Sequence, residues 1–361
     1  MNKELMGALD ELEREKNISK ETLLDAIEQS LIQAYKNHFG KADNVHVTIN
    51  RETGDFSVYA DRKVVEFVED PAEEVSLVEA QKQNTNAEVG DILKVPVHSD
   101  KFGRIATQNA KNVILQKIRE EERKVLFDQY HGNEKEVVTG IVQRVVGHNV
   151  SVNLGKADAI LAENEQVKGE TFKPTERIKV YILEVKDTPK GPRILVSRTH
   201  PGLVKRLFES EVAEVKDGTV EIKSIAREAG SRTKLAVWSN DPDVDPVGAC
   251  VGVNGARVSA IVNELRGEKI DIINWDENPA ILIENALSPA KVIAVMADPD
   301  EKTALVVVPD YQLSLAIGKE GQNARLAARL TGFKIDIKSE TQARESGDFY
   351  DYDEDDDEYY E

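Results

Sequence analysis

One pattern occurs twice in the last third of the sequence and restricts the possible fold more than any other feature. Residues 252–272 read GVNGARVSAIVNELRGEKIDI, and residues 318–337 read GKEGQNARLAARLTGFKIDI. Each copy has a G-x-x-G, a short amphipathic helix pattern, a single glycine and then Lys-Ile-Asp-Ile. Two β-type runs and a short apolar helix pattern precede each copy. The order helix–strand–strand–helix–GxxG–helix–strand is therefore predicted twice within residues 201–344.

A GxxG loop between two helices has a direct use in nucleic-acid binding. Glycines lack a Cβ atom, so a sugar-phosphate backbone can approach them closely, and the helix that follows offers unpaired N–H groups to phosphates. KH modules clamp single-stranded nucleic acid with such a loop. A lone GxxG is more often a tight helix–helix turn, but two copies with the same following pattern favour two KH domains. The sequence has no G-x-x-x-x-G-K-[ST] and no strand–GxGxxG–helix pattern, so nucleotide hydrolysis has no support.

The residues predicted to bind RNA lie in these two loops and in the helices after them. The first loop has only one base close by, whereas the second has a lysine inside the loop and two arginines downstream. The predicted RNA-binding residues are Gly252, Val253, Asn254, Gly255, Arg257, Gly318, Lys319, Glu320, Gly321, Gln322, Arg325 and Arg329.

Residues 131–200 contain five short β-type segments separated by Gly, Pro and Asn turns, which is typical of a small OB-type barrel. With 11 bases and 9 acids, this segment is the net basic part of the chain. OB-type barrels bind single strands with aromatic and basic side chains. Because this segment has few aromatic residues, we predict His148 and Arg198 as its RNA-contacting residues. The alternative is a barrel that acts mainly as a spacer and an electrostatic groove.

Residues 1–130 are predicted to form an α/β domain that ends in a long linker helix. A helix over 18–39, with Ser19 as its N-cap, is followed by a two-stranded hairpin and a third strand at Val64–Val68. A helical pattern then runs over Ile105–Tyr130 and is long enough to hold two domains apart.

The net charge of −19 is unevenly distributed and does not exclude nucleic-acid binding. Residues 345–361 hold ten acids and no base, so this segment is predicted to be a disordered tail. More than half of the net negative charge therefore lies outside the predicted domains. What the charge excludes is an RNA binder that works by bulk attraction, since phosphate contacts need cations.

Other features exclude several classes of protein. No stretch approaches the roughly 18 apolar residues of a membrane span, and the N-terminus lacks the apolar core of a signal peptide. The single cysteine, Cys250, excludes an intrachain disulfide and a CxxC zinc site, and the six histidines show no metal-ligand spacing. Cys250 itself is predicted to be a buried small residue rather than a nucleophile. We therefore expect a cytoplasmic protein with no membrane segment, metal, cofactor or catalytic site.

Several long stretches resemble the NusA family of bacterial transcription elongation factors, over about residues 1–344. These stretches are FGRIATQNAKNVILQKIREEER (102–123), IAREAGSRTKLAV (225–237), PVGACVGVNGARV (246–258), GEKIDII (267–273), LSPAKV (287–292) and LAIGKEGQNARLAARLTG (315–332). The chain departs from longer members of the family because it has no acidic C-terminal repeats. The resemblance therefore does not imply that this chain is autoinhibited by such repeats.

The resemblance implies a multidomain α+β protein. Its domains would be an α/β RNA-polymerase-binding domain with a linker helix (1–130), an S1 β-barrel of the OB type (131–200), two tandem type II KH domains (201–278 and 279–344) and an acidic tail (345–361). The implied function is to bind RNA polymerase and nascent single-stranded RNA, and so to modulate pausing, termination and antitermination. Other termination and antitermination factors are implied as further partners of a monomeric chain. The implied polymerase contacts are Phe102, Arg104 and Lys111.

Two other functions use the same modules. KH and S1 modules also occur in exoribonucleases, but polynucleotide phosphorylase has them in the order KH then S1, behind large catalytic domains. Here the order is reversed and no catalytic domain precedes the barrel. A ribosome-associated RNA-binding factor is the second alternative, which co-purification with polymerase or with ribosomal subunits would decide.

Overall fold

The computed structural model describes residues 6, 7, 9–11, 13, 14, 18–39, 44–51, 53, 55–96 and 100–347. The chain divides into two compact units, Met1–Leu126 and Phe127–Glu361. Most of the predicted acidic tail, residues 348–361, lies outside the described residues.

The first unit contains an α/β domain. Its elements are α1 (Lys20–Phe39), β1 (Val45–Ile49), β2 (Phe56–Val65), β3 (Glu74–Ser76), α2 (Leu77–Gln83) and β4 (Ile92–Pro96). Strand β2 pairs antiparallel with β1 and β4 and parallel with β3. The predicted third strand at Val64–Val68 is wrong. Val64 and Val65 continue β2 and pair with β3, whereas Phe67 and Val68 follow the strand and are exposed.

Helix α3 spans Asp100–His131 and begins five residues earlier than predicted. Its 32 residues correspond to about 48 Å at 1.5 Å per residue. Val113, Ile114 and Ile118 on one side of α3 pack against the core formed by α1, β1 and β2. These three residues recur at helical spacing, which explains why the sequence pattern predicted a helix here.

The second unit begins with a closed barrel in the strand order β5-β6-β7-β9-β8. The strands are β5 (Val137–Val146), β6 (Asn149–Asn153), β7 (Asp158–Leu161), β8 (Arg177–Lys186) and β9 (Arg193–Ser197). Alternate residues of these strands are buried inside the barrel, as a strand period of two requires. The predicted OB-type barrel is confirmed.

Two domains with the predicted repeat order follow the barrel. The first KH domain contains α4 (Pro201–Glu211), α5 (Ala213–Lys216), β10 (Val220–Glu228), β11 (Arg232–Ser239), α6 (Pro246–Val251), α7 (Ala256–Glu264) and β12 (Lys269–Asn274). The second contains α8 (Pro279–Ala286), β13 (Ala294–Asp298), β14 (Thr303–Val308), α9 (Leu313–Ile317), α10 (Gln322–Thr331), β15 (Lys334–Ser339) and α11 (Glu340–Glu345). Each sheet has one antiparallel pair and one parallel pair, and the Lys-Ile-Asp-Ile segment forms the parallel strand in both.

One hydrophobic core runs through both KH domains. Ala226, Ala236 and Ile273 from the first sheet pack with apolar residues of α8 and α10 from the second domain. The fully buried Lys234 donates from Nζ to the carbonyl oxygen of Ser288 in the second domain at 2.7 Å. Burial of the charged form lowers the pKa of Lys234. Because one face of the first sheet is covered by the second domain, the two KH domains form one packed body.

The described residues provide neither a membrane span nor a metal cluster. No helix in this part of the chain is both long and apolar enough to cross a membrane. Nor do these residues bring together three His, Cys, Asp or Glu side chains that could hold a metal ion. Cys250 is buried in the core of the first KH domain, as predicted, and burial raises its pKa to about 11.

Candidate nucleic-acid interface

The two GxxG loops have the same backbone conformation to within a few degrees. The first glycines, Gly252 and Gly318, have φ/ψ of 75°/174° and 78°/173°. The last glycines, Gly255 and Gly321, have φ/ψ of 74°/17° and 74°/15°. Two segments with different central residues therefore build one shape, as the sequence repeat predicts.

The first and the last glycine of each GxxG loop differ in the space around them. A Cβ atom at Gly318 would lie 2.8 Å from the backbone nitrogen of Asn323, so the loop packs directly against α10 at this point. A Cβ atom at Gly321 would lie 3.7 Å from Nη1 of Arg325, its nearest neighbour, which is ordinary contact. In the first loop, a Cβ atom would lie 2.8 Å from the side-chain Cγ of Arg257 at Gly252 and 3.9 Å from Oγ of Ser259 at Gly255. The last glycine of each loop therefore leaves room for a ligand to approach the backbone.

In each loop, the residue five positions after the first glycine forms a hydrogen bond with the helix that precedes the loop. Asn323 donates from Nδ2 to the carbonyl oxygen of Ala316, at the end of the preceding helix, at 3.1 Å. Arg257 occupies the same position in the first domain and donates from Nη1 to the carbonyl oxygen of Ala249 at 2.7 Å. The carboxylate of Glu214 also accepts from Arg257 at 2.9 Å and balances its charge. RNA contact by Arg257 stays a prediction, and Asn323 is a structural residue that the sequence reasoning missed.

The second loop carries the accessible positive charge. Lys319 is exposed and forms no ion pair with the described residues. Arg329, two turns into α10, is also exposed. In the first loop, the exposed central residues are Val253 and Asn254, which are uncharged.

Two predicted RNA-binding residues of α10 contact the first KH domain. Gln322 donates from Nε2 to Oε2 of Glu228 at 2.9 Å and to Oγ of Ser231 at 2.7 Å. Arg325 donates from Nε to Oε1 of Glu228 at 2.6 Å and from Nη1 to the carbonyl oxygen of Glu320 at 3.0 Å. The hydrogen bond from Arg325 lowers the pKa of Glu228 below its ordinary value. Sequence reasoning missed Glu228, because its partners lie more than ninety residues away along the chain.

The prediction that Arg198 contacts RNA is wrong. Its side chain is 1% exposed and forms a two-point ion pair with Glu170 at 2.7 and 2.6 Å. It also donates to the carbonyl oxygens of Lys179, in the barrel, and Glu264, in the first KH domain. All three guanidinium nitrogens are engaged and water is excluded, so Arg198 joins the barrel to the first KH domain instead of facing a ligand.

Two aromatic side chains of the barrel also form contacts where the barrel meets the first KH domain. Tyr181 is buried and stacks on His200 with ring centroids 4.6 Å apart. The guanidinium of Arg266, from the first KH domain, lies 5.3 Å from the ring centroid of Phe172. His148, by contrast, has a side chain that is 83% exposed in the turn between β5 and β6, and its RNA contact stays a prediction. This arrangement favours the alternative in which the barrel acts mainly as a spacer.

The predicted polymerase contacts all belong to α3. Lys111 is exposed on this helix. The side chains of Phe102 and Arg104 lie outside the described residues. The polymerase contacts therefore stay predictions.

Comparison with known families agrees with this architecture. The NusA N-terminal domain matches residues 4–124, and the S1 RNA binding domain matches residues 132–197. The NusA-like first and second KH domains match residues 198–275 and 279–345. The fold and the paired loops thus define a multidomain protein of the S1–KH–KH class, built from RNA-binding modules.

Its relatives identify the family within that class. The chain is 57% identical to the transcription termination/antitermination protein NusA of Bacillus subtilis over 347 residues, which cover 96% of this chain and 94% of that protein. The chain therefore belongs to the NusA family, whose members are transcription factors rather than enzymes. NusA of Thermus thermophilus is 42% identical and covers 93% of this chain and 89% of its own. The solution structure of the N-terminal domain of B. subtilis NusA is 49% identical, covers 34% of this chain and 99% of that one, and gives a TM-score of 0.29.

Proposed function

We propose that this protein binds nascent single-stranded RNA through its two GxxG loops and RNA polymerase through its N-terminal domain. By holding both, it modulates pausing, termination and antitermination of transcription. The observation that carries the proposal is the pair of loops with one backbone conformation on a single packed body. The names of the curated relatives agree with a role in termination and antitermination.

Both loops offer a phosphate group free backbone N–H groups and an open approach, and the second loop adds a charged side chain. Backbone N–H groups at the start of α7 and α10 have no partner within their own helix, and the helix dipole favours negative charge there. The open side of Gly255 and Gly321 lets a sugar-phosphate backbone come close. In the second loop, Lys319 adds a free ammonium group, so this loop should contribute more of the salt-dependent affinity.

Two modest sites on one body bind more tightly than either alone. Once one loop holds RNA, the second meets the same strand at a raised effective concentration, so the combined affinity exceeds that of a single loop. The shared hydrophobic core keeps the loops in a fixed relation and removes the entropy cost of orienting them on each binding event.

An RNA titration with a loop variant tests this function. Gly321→Asp adds a carboxylate at the open corner of the second loop, and we expect about a tenfold loss of affinity for a single-stranded 20-nucleotide RNA, from charge repulsion and lost approach. The matched control is Gly218→Asp, which places the same side chain at another open, left-handed glycine (φ 84°) far from the loops in sequence. Equal affinity of Gly321→Asp and the control would overturn RNA binding by this loop.

The polymerase contact is assigned to α3, where Lys111 is exposed. The protein acts as a monomer in the cytoplasm, together with other termination and antitermination factors. Core RNA polymerase should be retained by the immobilised wild-type chain of 361 residues and lost with Lys111→Glu. Lys124→Glu, an exposed lysine later on the same helix, is the matched control. Equal retention by both variants would remove Lys111 from the interface, and no retention by the wild type would remove polymerase as a partner.

A further inference from the structure

The Glu228 carboxylate of the first KH domain lies beside the arginine that borders the second GxxG loop. We propose that Glu228 competes with RNA phosphate for Arg325 and thereby sets the RNA affinity of the second KH domain. The proposal rests on the proposed RNA binding by the second loop, and it adds an acidic residue from the neighbouring domain that limits that binding.

Arg325 is part of the loop's border in space. Its Nη1 donates to the carbonyl oxygen of Glu320, the third residue of the loop, at 3.0 Å. The same nitrogen is the nearest atom, at 3.7 Å, to a Cβ built on Gly321. The guanidinium therefore lies at the open corner where a phosphate would sit, and its side chain is 44% exposed. Its Nη2 makes no hydrogen bond within residues 100–347, so it can still donate to a ligand.

Glu228 already binds Nε of that guanidinium. Its Oε1 accepts from Nε of Arg325 at 2.6 Å and lies 3.9 Å from Nη1 of Arg329. Its Oε2 accepts from Gln322, which fixes the carboxylate in place. With a side chain only 21% exposed, the carboxylate is poorly screened by water. Carboxylate and phosphate are alternative partners for a guanidinium, and the two-point contact that phosphate prefers needs the edge that Glu228 holds.

The first loop has a comparable arrangement. Arg257, just after that loop, is held by the carboxylate of Glu214 at 2.9 Å. Each GxxG loop is therefore followed by an arginine whose charge is balanced by a carboxylate from outside the loop and its helix. The two arginines stand at different positions after their loops, since Arg257 corresponds to Asn323, so the likeness lies in the ion pair and not in an equivalent residue.

The substitution Glu228→Gln removes the charge and keeps the size and an oxygen that can accept from Arg325. The neutral amide oxygen is a weaker partner for Arg325 than the carboxylate, so a phosphate can replace it more easily. We expect a single-stranded 20-nucleotide RNA to bind about three- to tenfold more tightly, measured by fluorescence anisotropy at several salt concentrations. The slope of log affinity against log salt should steepen by about 0.7, the value for one added phosphate contact on a single strand.

The matched control is Glu221→Gln, which removes a carboxylate from the same strand, β10. Glu221 pairs with Lys223 and has no contact with Arg325, so the change in affinity should stay below about twofold. In a background of Arg325→Ala, the gain from Glu228→Gln should disappear, because the proposed competition needs the arginine. Denaturant unfolding of each variant checks that the two KH domains remain packed together.

The outcomes separate this proposal from the proposed function. Equal or weaker RNA binding by Glu228→Gln, with normal unfolding, would show that the carboxylate supports the loop or is neutral, and would overturn the competition. A gain that persists in the Arg325→Ala background would also overturn it. If Gly321→Asp leaves RNA affinity unchanged, the loop is not an RNA site and the proposed function fails at this loop. If Gly321→Asp weakens binding and Glu228→Gln does not strengthen it, only the competition fails.

Discussion

Substituting alanine at either glycine of the second GxxG loop should give two very different proteins. In Gly318→Ala, the backbone at φ 78° and ψ 173° lies in a region that essentially only glycine adopts, which costs about 1–3 kcal/mol. The new Cβ would also lie 2.8 Å from the backbone nitrogen of Asn323, and such overpacking costs about another 1–3 kcal/mol. The free energy of unfolding should fall by about 2–6 kcal/mol in total. Because single domains are stable by only about 5–15 kcal/mol, much of that stability would be lost.

Gly321→Ala is the matched comparison. This residue has φ 74° and ψ 15°, which costs an L-residue about 1–2 kcal/mol, and the added Cβ meets nothing closer than 3.7 Å. With the middle of each range, the two variants should differ by about 2.5 kcal/mol in unfolding free energy. Denaturant titration followed by tryptophan fluorescence measures this difference in unfolding free energy. The ring centroids of Trp238 and Trp275 lie 5.7 Å apart in the first KH domain, and Trp275 packs against the shared core, so their fluorescence reports on unfolding. Unfolding free energies within about 0.5 kcal/mol of each other would refute the argument from loop packing.

Three further results are expected. Lys319→Ala should weaken RNA binding and flatten the salt slope by about 0.7, as loss of one phosphate contact does, and an unchanged slope would exclude that contact. Arg198→Ala should lower the unfolding free energy by about 3–5 kcal/mol, because the buried Glu170 carboxylate loses its two-point partner and keeps only Arg266, 4.0 Å away, and normal stability in a denaturant titration would contradict this. The raised pKa of Cys250 means that the folded state keeps the thiol protonated, so its contribution to stability is present below the unfolded-state pKa of about 9 and is lost as pH rises towards 11. Wild type should thus lose more stability than Cys250→Ala between pH 9 and 11, and identical losses would contradict the burial argument.

The local features of the fold could be read from the sequence because they depend on neighbouring residues. The two GxxG copies and the periodicity of α3 both have short-range signals. The strand predicted at Val64–Val68 failed because the charged run Asp61-Arg62-Lys63 interrupts the apolar pattern, although β2 continues through it to Val65. The residue pattern alone predicts that a segment is a strand, but it does not predict which residue of the neighbouring strand pairs with each residue.

The roles of the charged side chains were the part of the site that the sequence predicted least well. Arg198 follows the last barrel strand and looked like a surface base, but its partner Glu170 is 28 residues away and both are buried at a domain junction. Glu228 gave no signal because its contacts come from a helix in the next domain. A basic residue binds RNA or an internal carboxylate according to tertiary contacts, which composition and spacing do not contain.

If both loops hold RNA as proposed, the core shared by the two KH domains also makes binding depend on the spacing between the two RNA contacts. Because the loops cannot move apart or together without breaking that core, one RNA can occupy both only when the nucleotides between its two contact points span a fixed distance. A shorter spacer cannot reach, and a longer one loses the advantage of linkage as its free length grows. RNAs with the same bases at the two contact points would then be told apart by the number of nucleotides between them.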